Sequence, residues 1–213
     1  NKEGLIEVVE NDRPRIDYTD SEDGVFLLEK AATNKIAYSE DFSNGSWIES
    51  GASVTSGFLS PDGTNNAFKL IESNVNARHT IHSNITTNPN NNHTLSAFVK
   101  KGEKKYVTIC ALHNSTNGVA AQFDLEKGIV VFKGDLGSIY TYINSSVIQL
   151  KNGWYKISLT LRSTLTTISP SIGLANSIIT SASVYVNGSV YNGDGISGIY
   201  IFGAMLEQNS VAS

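Results

Sequence analysis

The chain has 213 residues, of which 17% are charged, with a formal net charge of -4 and no block of basic residues. That length suits one large β domain, or one domain with an appendage, and is enough to bury a core without disulfides or metal ions. The charge balance argues against nucleic acid and anionic membrane surfaces as partners, and no segment reaches the length of a membrane span or reads as a signal peptide.

Residues 1–35 differ from the rest. A short apolar run, Gly4–Glu10, is followed by Asn11–Tyr18, whose Pro14 forbids a regular interior strand. Asp20–Gly24 is an acidic turn and Val25–Glu29 another short apolar stretch. This part is expected to be an extended arm or connector, ordered by contact with a neighbour. Only Phe26–Ala32 hints at helical periodicity. The chain opens at Asn1 without a methionine and closes at Ser213 without a polar tail, as expected of a piece cut from a longer polypeptide.

From Ile36 onward the pattern is β. Alternation and β-branched or aromatic content predict strands at 36–42, 53–58, 66–72, 77–85, 93–100, 105–113, 118–125, 128–133, 138–149, 154–162, 167–174, 182–187 and 196–207. Turn chemistry separates them: Ser60–Gly63, Asn88–Asn92, Glu126–Gly128, Lys151–Gly153, Asn187–Gly188 and Gly193–Gly195. The run from Ile196 to Glu207 is apolar on both faces, the mark of a strand in the middle of a sheet. Elsewhere one face is apolar. Tyr155, Ile157, Leu159 and Leu161 alternate with Trp154, Lys156, Ser158, Thr160 and Arg162; Val107, Ile109 and Ala111 alternate with Tyr106, Thr108 and Cys110. The expected architecture is all-β: a jelly-roll β-sandwich of two antiparallel sheets with an N-terminal arm (1–35) and one domain (36–213). Cys110, the one cysteine, reads as a small buried strand residue and makes no disulfide within the chain.

Four segments carry a family resemblance: Leu27–Trp47, Ser60–Leu70, Asn152–Ser158 and Gly193–Glu207. In this order they resemble jelly-roll domains of phage tail, head-fibre and other virion appendage proteins, which are related to carbohydrate-binding modules. The Pro14–Tyr18 segment is similar to the lead-in before such domains. The resemblance implies a non-catalytic surface or receptor-binding role, in a fibre that is often trimeric, on a virion appendage or a secreted bacterial protein. In the related sugar-binding jelly rolls the last strand carries adjacent carboxylates that hold a structural calcium. Here Phe202 and Gly203 stand at those places, so a calcium site would have to draw on Asp41, Glu40 and Glu207; the other reading makes them ordinary exposed acids.

Catalytic signatures are scarce. Of the four histidines, His79, His82, His93 and His113, the first two share a stretch at an odd offset, which places them on opposite faces of a strand, and no Cys or carboxylate completes a zinc set. No Gly-x-Ser-x-Gly elbow occurs, and none of the acids stands in a context that singles it out for glycoside cleavage. A polysaccharide lyase groove built from Tyr106, Tyr140, Tyr142, Arg78, Arg162 and His79 remains an alternative. The aromatics are the better clue, because a sugar's apolar C–H face stacks on a flat ring. Trp154 falls on the outward set of its strand, and Tyr140 and Tyr142 are expected to share a face with Asn144. Trp47 and Trp154 belong to the resembling motifs, so packing is the competing role for both. The expected ligand-binding residues are Trp154, Tyr140, Tyr142, Arg78, His79 and Tyr106, and the expected partners are a polysaccharide or cell-surface glycan and further copies of the chain or other virion proteins. A structural spacer or trimerisation module is the alternative function.

Overall fold

The computed structural model describes residues 15–17, 23–27, 33–181 and 190–208. The first strands are β1 (Arg15–Asp17), β2 (Val25–Leu27), β3 (Ile48–Ser50), β4 (Ala52–Phe58), β5 (Ala67–Glu72), β6 (Asn76–Ala77), β7 (Thr80–His82) and β8 (Ile85–Thr86). Five long strands follow: β9 (Asn92–Lys101), β10 (Tyr106–Asn114), β11 (Asn117–Asp124), β12 (Ile129–Leu136) and β13 (Tyr140–Gln149). The remainder are β14 (Trp154–Ser163), β15 (Thr167–Ile168), β16 (Pro170–Ala175), β17 (Tyr191–Asn192) and β18 (Gly198–Glu207). Among the described residues no helix is long and apolar enough to cross a membrane.

Two six-stranded antiparallel sheets pack face to face. One runs β12-β11-β10-β16-β7-β3 and the other β13-β14-β9-β18-β5-β4. The all-β sandwich expected from the alternation is therefore what forms. Its inner faces supply the core: Val107, Ile109, Ala121 and Phe123 from the first sheet, Leu95, Val99, Ile157, Leu159 and Ile201 from the second, each essentially unexposed. β18 lies between β9 and β5, as its two-faced apolar pattern requires.

Both outer faces carry small apolar clusters of their own. On the first sheet, Cys110 and Ala120 are roofed by Ile179. Gln122 fastens that roof: its amide donates to the Ser177 carbonyl at 3.0 Å and its Oε1 accepts the Ile179 N–H at 2.8 Å. On the second, Trp154, Phe202 and Ala67 are buried beneath Phe58, Phe98, Leu150 and Tyr200.

Three sequence expectations need correction. Residues 36–42 are turns rather than a strand. Short polar side chains at the end of this stretch and just beyond compete for the backbone: Oδ1 of Asp41 accepts the Ser43 N–H at 3.1 Å, and Oδ1 of Asn44 accepts the Ser46 N–H at 3.0 Å. The stretches 77–85 and 167–174 are each broken into short strands; in the second, Pro170 restricts Ser169 and interrupts the ladder. Finally, the β13–β14 register shifts between Tyr142 and Asn144. The extra residue, Ile143, is a bulge, and it puts Tyr142 and Asn144 on opposite faces instead of one.

Asn34 bridges to Glu207, and the Lys35 N–H donates to the Leu206 carbonyl at 2.8 Å. Upstream, β1 and β2 pair with each other. The expected strand at 182–187 and most of the arm lie outside the described residues.

Candidate ligand-binding site

The antiparallel connections divide the loops into two groups of unlike chemistry. At one end of the sandwich are residues 83–92, 113–117, 137–139 and 164–169, which contain no Asp, Glu, Lys or Arg and are rich in Asn, Ser and Thr. They are stitched together. The Thr87 N–H donates to the Thr166 carbonyl at 2.8 Å, the Asn90 N–H to Ser163 at 2.7 Å, and Thr164 N–H to Ile139 at 3.0 Å. Ser169 donates to Oδ1 of Asn84 at 2.6 Å, and Oδ1 of Asn117 accepts the N–H groups of Ser138 and Ile139 at 3.1 and 3.3 Å.

Between these loops lies an open cavity of about 270 Å³, lined by Leu112, His113, Tyr140, Leu165, Thr166, Thr167 and Ser169. β10 delivers Leu112 and His113, β13 begins with Tyr140, and the segment from the end of β14 through β15 to the start of β16 delivers the rest. The lining combines an apolar floor with hydroxyls and one imidazole, and holds no carboxylate. Tyr140 is 2% exposed, and burial pushes its phenol up to about 12. The lining offers a small polar ligand hydrogen bonds from its hydroxyls and imidazole and apolar contact with Leu112 and Leu165; it has no paired acids for hydrolysis.

The opposite end is charged. Glu72, 1% exposed, accepts the Tyr191 hydroxyl at 2.7 Å and the Asp194 N–H at 3.0 Å, and pairs with Lys104 at 2.9 Å. Burial above all, and then the bond to Glu72, push the Tyr191 phenol far above its ordinary range. Asp194 organises the Gly193–Gly195 turn, accepting from Ser197 Oγ and from the Ser197 and Ile196 N–H groups. Those bonds, the Ser197 hydroxyl first, hold its carboxyl well below the usual carboxylate range.

Of the six residues expected to bind ligand, only Tyr140 lines the cavity. Trp154 does face outward, but it is 1% exposed beneath the second outer cluster, so its ring is closed to a ligand. Tyr142 is half-buried against the main core, with its hydroxyl 2.9 Å from Ser145 Oγ. His79 is fully buried at the charged end, its ring between the Gly51 and Tyr191 carbonyls and 4.4 Å from the Tyr191 ring. Arg78 precedes it there, and Tyr106 is half-buried with Lys105 Nζ 5.1 Å from its ring centre. The six do not converge. Trp47 is a packing residue, its ring 5.0 Å from that of Phe42 and tilted 43° to it, with its indole N–H on the Tyr38 carbonyl at 2.9 Å.

The three acids named for calcium are also dispersed in kind: Glu40 and Asp41 lie exposed in the turns, while Glu207 is buried in β18. Among the described residues no three His, Cys, Asp or Glu side chains gather as a metal-binding group. Phe202 fills the outer cluster and Gly203 takes a φ of +56° at the β18 bulge. Leu112, His113, Leu165, Thr166, Thr167 and Ser169 were not distinguishable in sequence. The available signal was the absence of charge from several separate turns.

No protein-family model matches the chain, and no curated protein matches it. Solved structures show a likeness. The enzymatically active domain of bacteriophage CBA120 tailspike protein 4 is similar over 81% of this chain, at 15% identity and a TM-score of 0.46. This chain spans 21% of that tailspike chain. TmCBM61, solved in complex with β-1,4-galactotriose, is similar over 83% of this chain and 99% of its own, at 8% identity and a TM-score of 0.48.

Proposed function

We propose that the protein is a non-catalytic glycan-binding module whose ligand enters the cavity at the end of the sandwich where these uncharged loops gather. The observation that supports it is the cavity lining: Thr166, Thr167, Ser169 and His113 stand around Leu112, Leu165 and the Tyr140 ring, within loops that carry no charge. A sugar offers apolar C–H faces and a rim of hydroxyls, and this lining complements both. The volume of about 270 Å³ falls just below the range of ligand pockets, roughly 300–1,000 Å³. A site of this size binds in the millimolar to micromolar range, about -4 to -8 kcal/mol, and display in several copies raises the effective strength. The motif resemblance to virion appendage jelly rolls supports a phage fibre or similar appendage as the setting, with surface polysaccharide as the receptor.

The test is retention on a glycan array and in affinity gels, comparing the unaltered protein with His113→Ala and Thr166→Ala. Retention on at least one polysaccharide, weakened by both variants, is the expected result. A folded protein retained on no glycan favours a structural spacer. That second reading has one observation in its favour: the β1–β2 pair leaves Ile16 45% and Val25 52% exposed, one on each of its faces. Release of reducing ends or unsaturated sugars would make the protein an enzyme instead.

A further inference from the structure

We propose that the chain locks itself with an intramolecular isopeptide bond between Nζ of Lys104 and Cγ of Asn176, formed with Glu72 as the proton carrier. The proposal concerns the charged end of the sandwich and stands independently of glycan binding.

Three reacting groups meet there from distant parts of the sequence. Lys104 lies in the connection from β9 to β10, Asn176 directly follows β16, and Glu72 ends β5. Nζ of Lys104 donates to Oδ1 of Asn176 in direct contact and stands 2.9 Å from Oε2 of Glu72. The contact brings the amine beside the side-chain amide whose carbon it would attack. The Lys104 side chain is 15% exposed and that of Glu72 1%, whereas Asn176 lies at the surface. The proton transfer is thus shielded from water while the leaving group has an exit.

The surroundings fix the geometry. The Tyr191 hydroxyl and the Asp194 N–H hold the two oxygens of Glu72, and the Tyr191 ring lies 5.1 Å from Nζ of Lys104. Gly193 lets the turn close on this cluster: a Cβ there would stand 2.2 Å from the Ser73 carbonyl and 2.9 Å from His79 Cε1. A buried ion pair alone is a poor source of stability, because desolvation offsets the attraction. A carboxylate that can take the ammonium proton relieves that cost and leaves a nucleophile against an amide carbon.

The step balances without any co-reactant. Glu72 takes a proton from the Lys104 ammonium, and the neutral amine attacks Cγ of Asn176, forming the C–Nζ bond. The proton lost from Nζ and the proton held by Glu72 pass to Nδ2 as the C–Nδ2 bond breaks. Ammonium leaves, the Glu72 carboxylate is restored, and the protein has one positive charge fewer. The bond joins the β9 side of one sheet to the β16 side of the other. In a chain with one cysteine it would do the work of an internal disulfide, constraining the unfolded state.

The test is intact-mass measurement and tryptic mapping of the whole chain, fresh and after incubation at neutral pH. The expected mass is lower than the sequence mass by one ammonia, with a branched peptide joining Lys104 to Asn176 and no cleavage after Lys104. Glu72→Gln, Lys104→Arg and Asn176→Ser are expected to show the full sequence mass and to unfold at a lower temperature. Lys104→Arg keeps the cation beside Glu72, and Asn176 is at the surface, so these two report on the bond even if Glu72→Gln does not fold. Full sequence mass with ordinary cleavage after Lys104 overturns the proposal. So does an ammonia loss that persists in Asn176→Ser, since it would lie at another asparagine.

Discussion

Tyr191 donates its hydroxyl to Oε2 of Glu72 at 2.7 Å, joining β17 to the end of β5 across the charged end of the sandwich. Removing that donor leaves a buried carboxylate short of one partner. Tyr191→Phe is therefore expected to lower stability by about 1–3 kcal/mol, read as a lower urea midpoint with an unchanged slope, while glycan retention persists.

The same phenol predicts a response to alkali. Tyr191 and Tyr140 both have raised values in the folded chain, Tyr140 to about 12, in each case chiefly through burial. Between the ordinary tyrosine value near 10 and the raised ones, the unfolded chain loses protons that the folded chain keeps. Their contribution is complete below about pH 10 and is lost as pH rises beyond it. Urea midpoints measured through this window should fall, and less steeply in Tyr140→Phe.

On the acid side His93 and His82 work in the opposite direction. Burial lowers both below the ordinary histidine value of 6.5. His93 is fully buried, with Nε2 lacking a partner and Nδ1 3.1 Å from the Asn91 carbonyl. The unfolded chain takes up these protons first, so stability is complete above pH 6.5 and falls as pH drops toward the folded values. Replacing His93 with Gln should flatten that decline in a pH series of urea midpoints.

Trp154 should behave as packing. Its side chain fills the cluster with Phe202 and Ala67, and truncation to Ala leaves a large void. Trp154→Ala is expected to cost about 3–5 kcal/mol, seen as a large drop in melting temperature. Unchanged stability with lost glycan retention would restore the ring to a binding role.

Gly198 is a backbone contact point. A Cβ there would lie 2.0 Å from the Leu70 carbonyl oxygen, and β5 can yield only by breaking its ladder with β18. Gly198→Ala should destabilise by about 1–3 kcal/mol, visible as faster amide exchange along β5.

The sandwich was legible in the sequence because alternation reports directly which residues share a face. Tyr155, Ile157, Leu159 and Leu161 point into the core as their spacing requires. Alternation does not report what covers the other face, which is why Trp154 and Cys110 are outward yet buried, one beneath Phe98 and Tyr200, the other beneath Ile179. It also fails at an extra residue: Ile143 reverses every face after it, so Asn144 parts from Tyr142. The cavity and the Glu72 cluster were hidden for a different reason. Their members come together only through strand pairing between distant segments, as with Leu112 and Thr166, or Glu72 and Tyr191.

The central position of β18 has a consequence for assembly. Until Gly198–Glu207 has been synthesised, β9 and β5 have no common neighbour, and the second sheet exists as two separated halves with open edges. Those edges stay bare until β18 is made, so closure of the second sheet is a late, long-range step in folding. Shielding by a chaperone, or by a neighbouring nascent copy, would matter most in that interval.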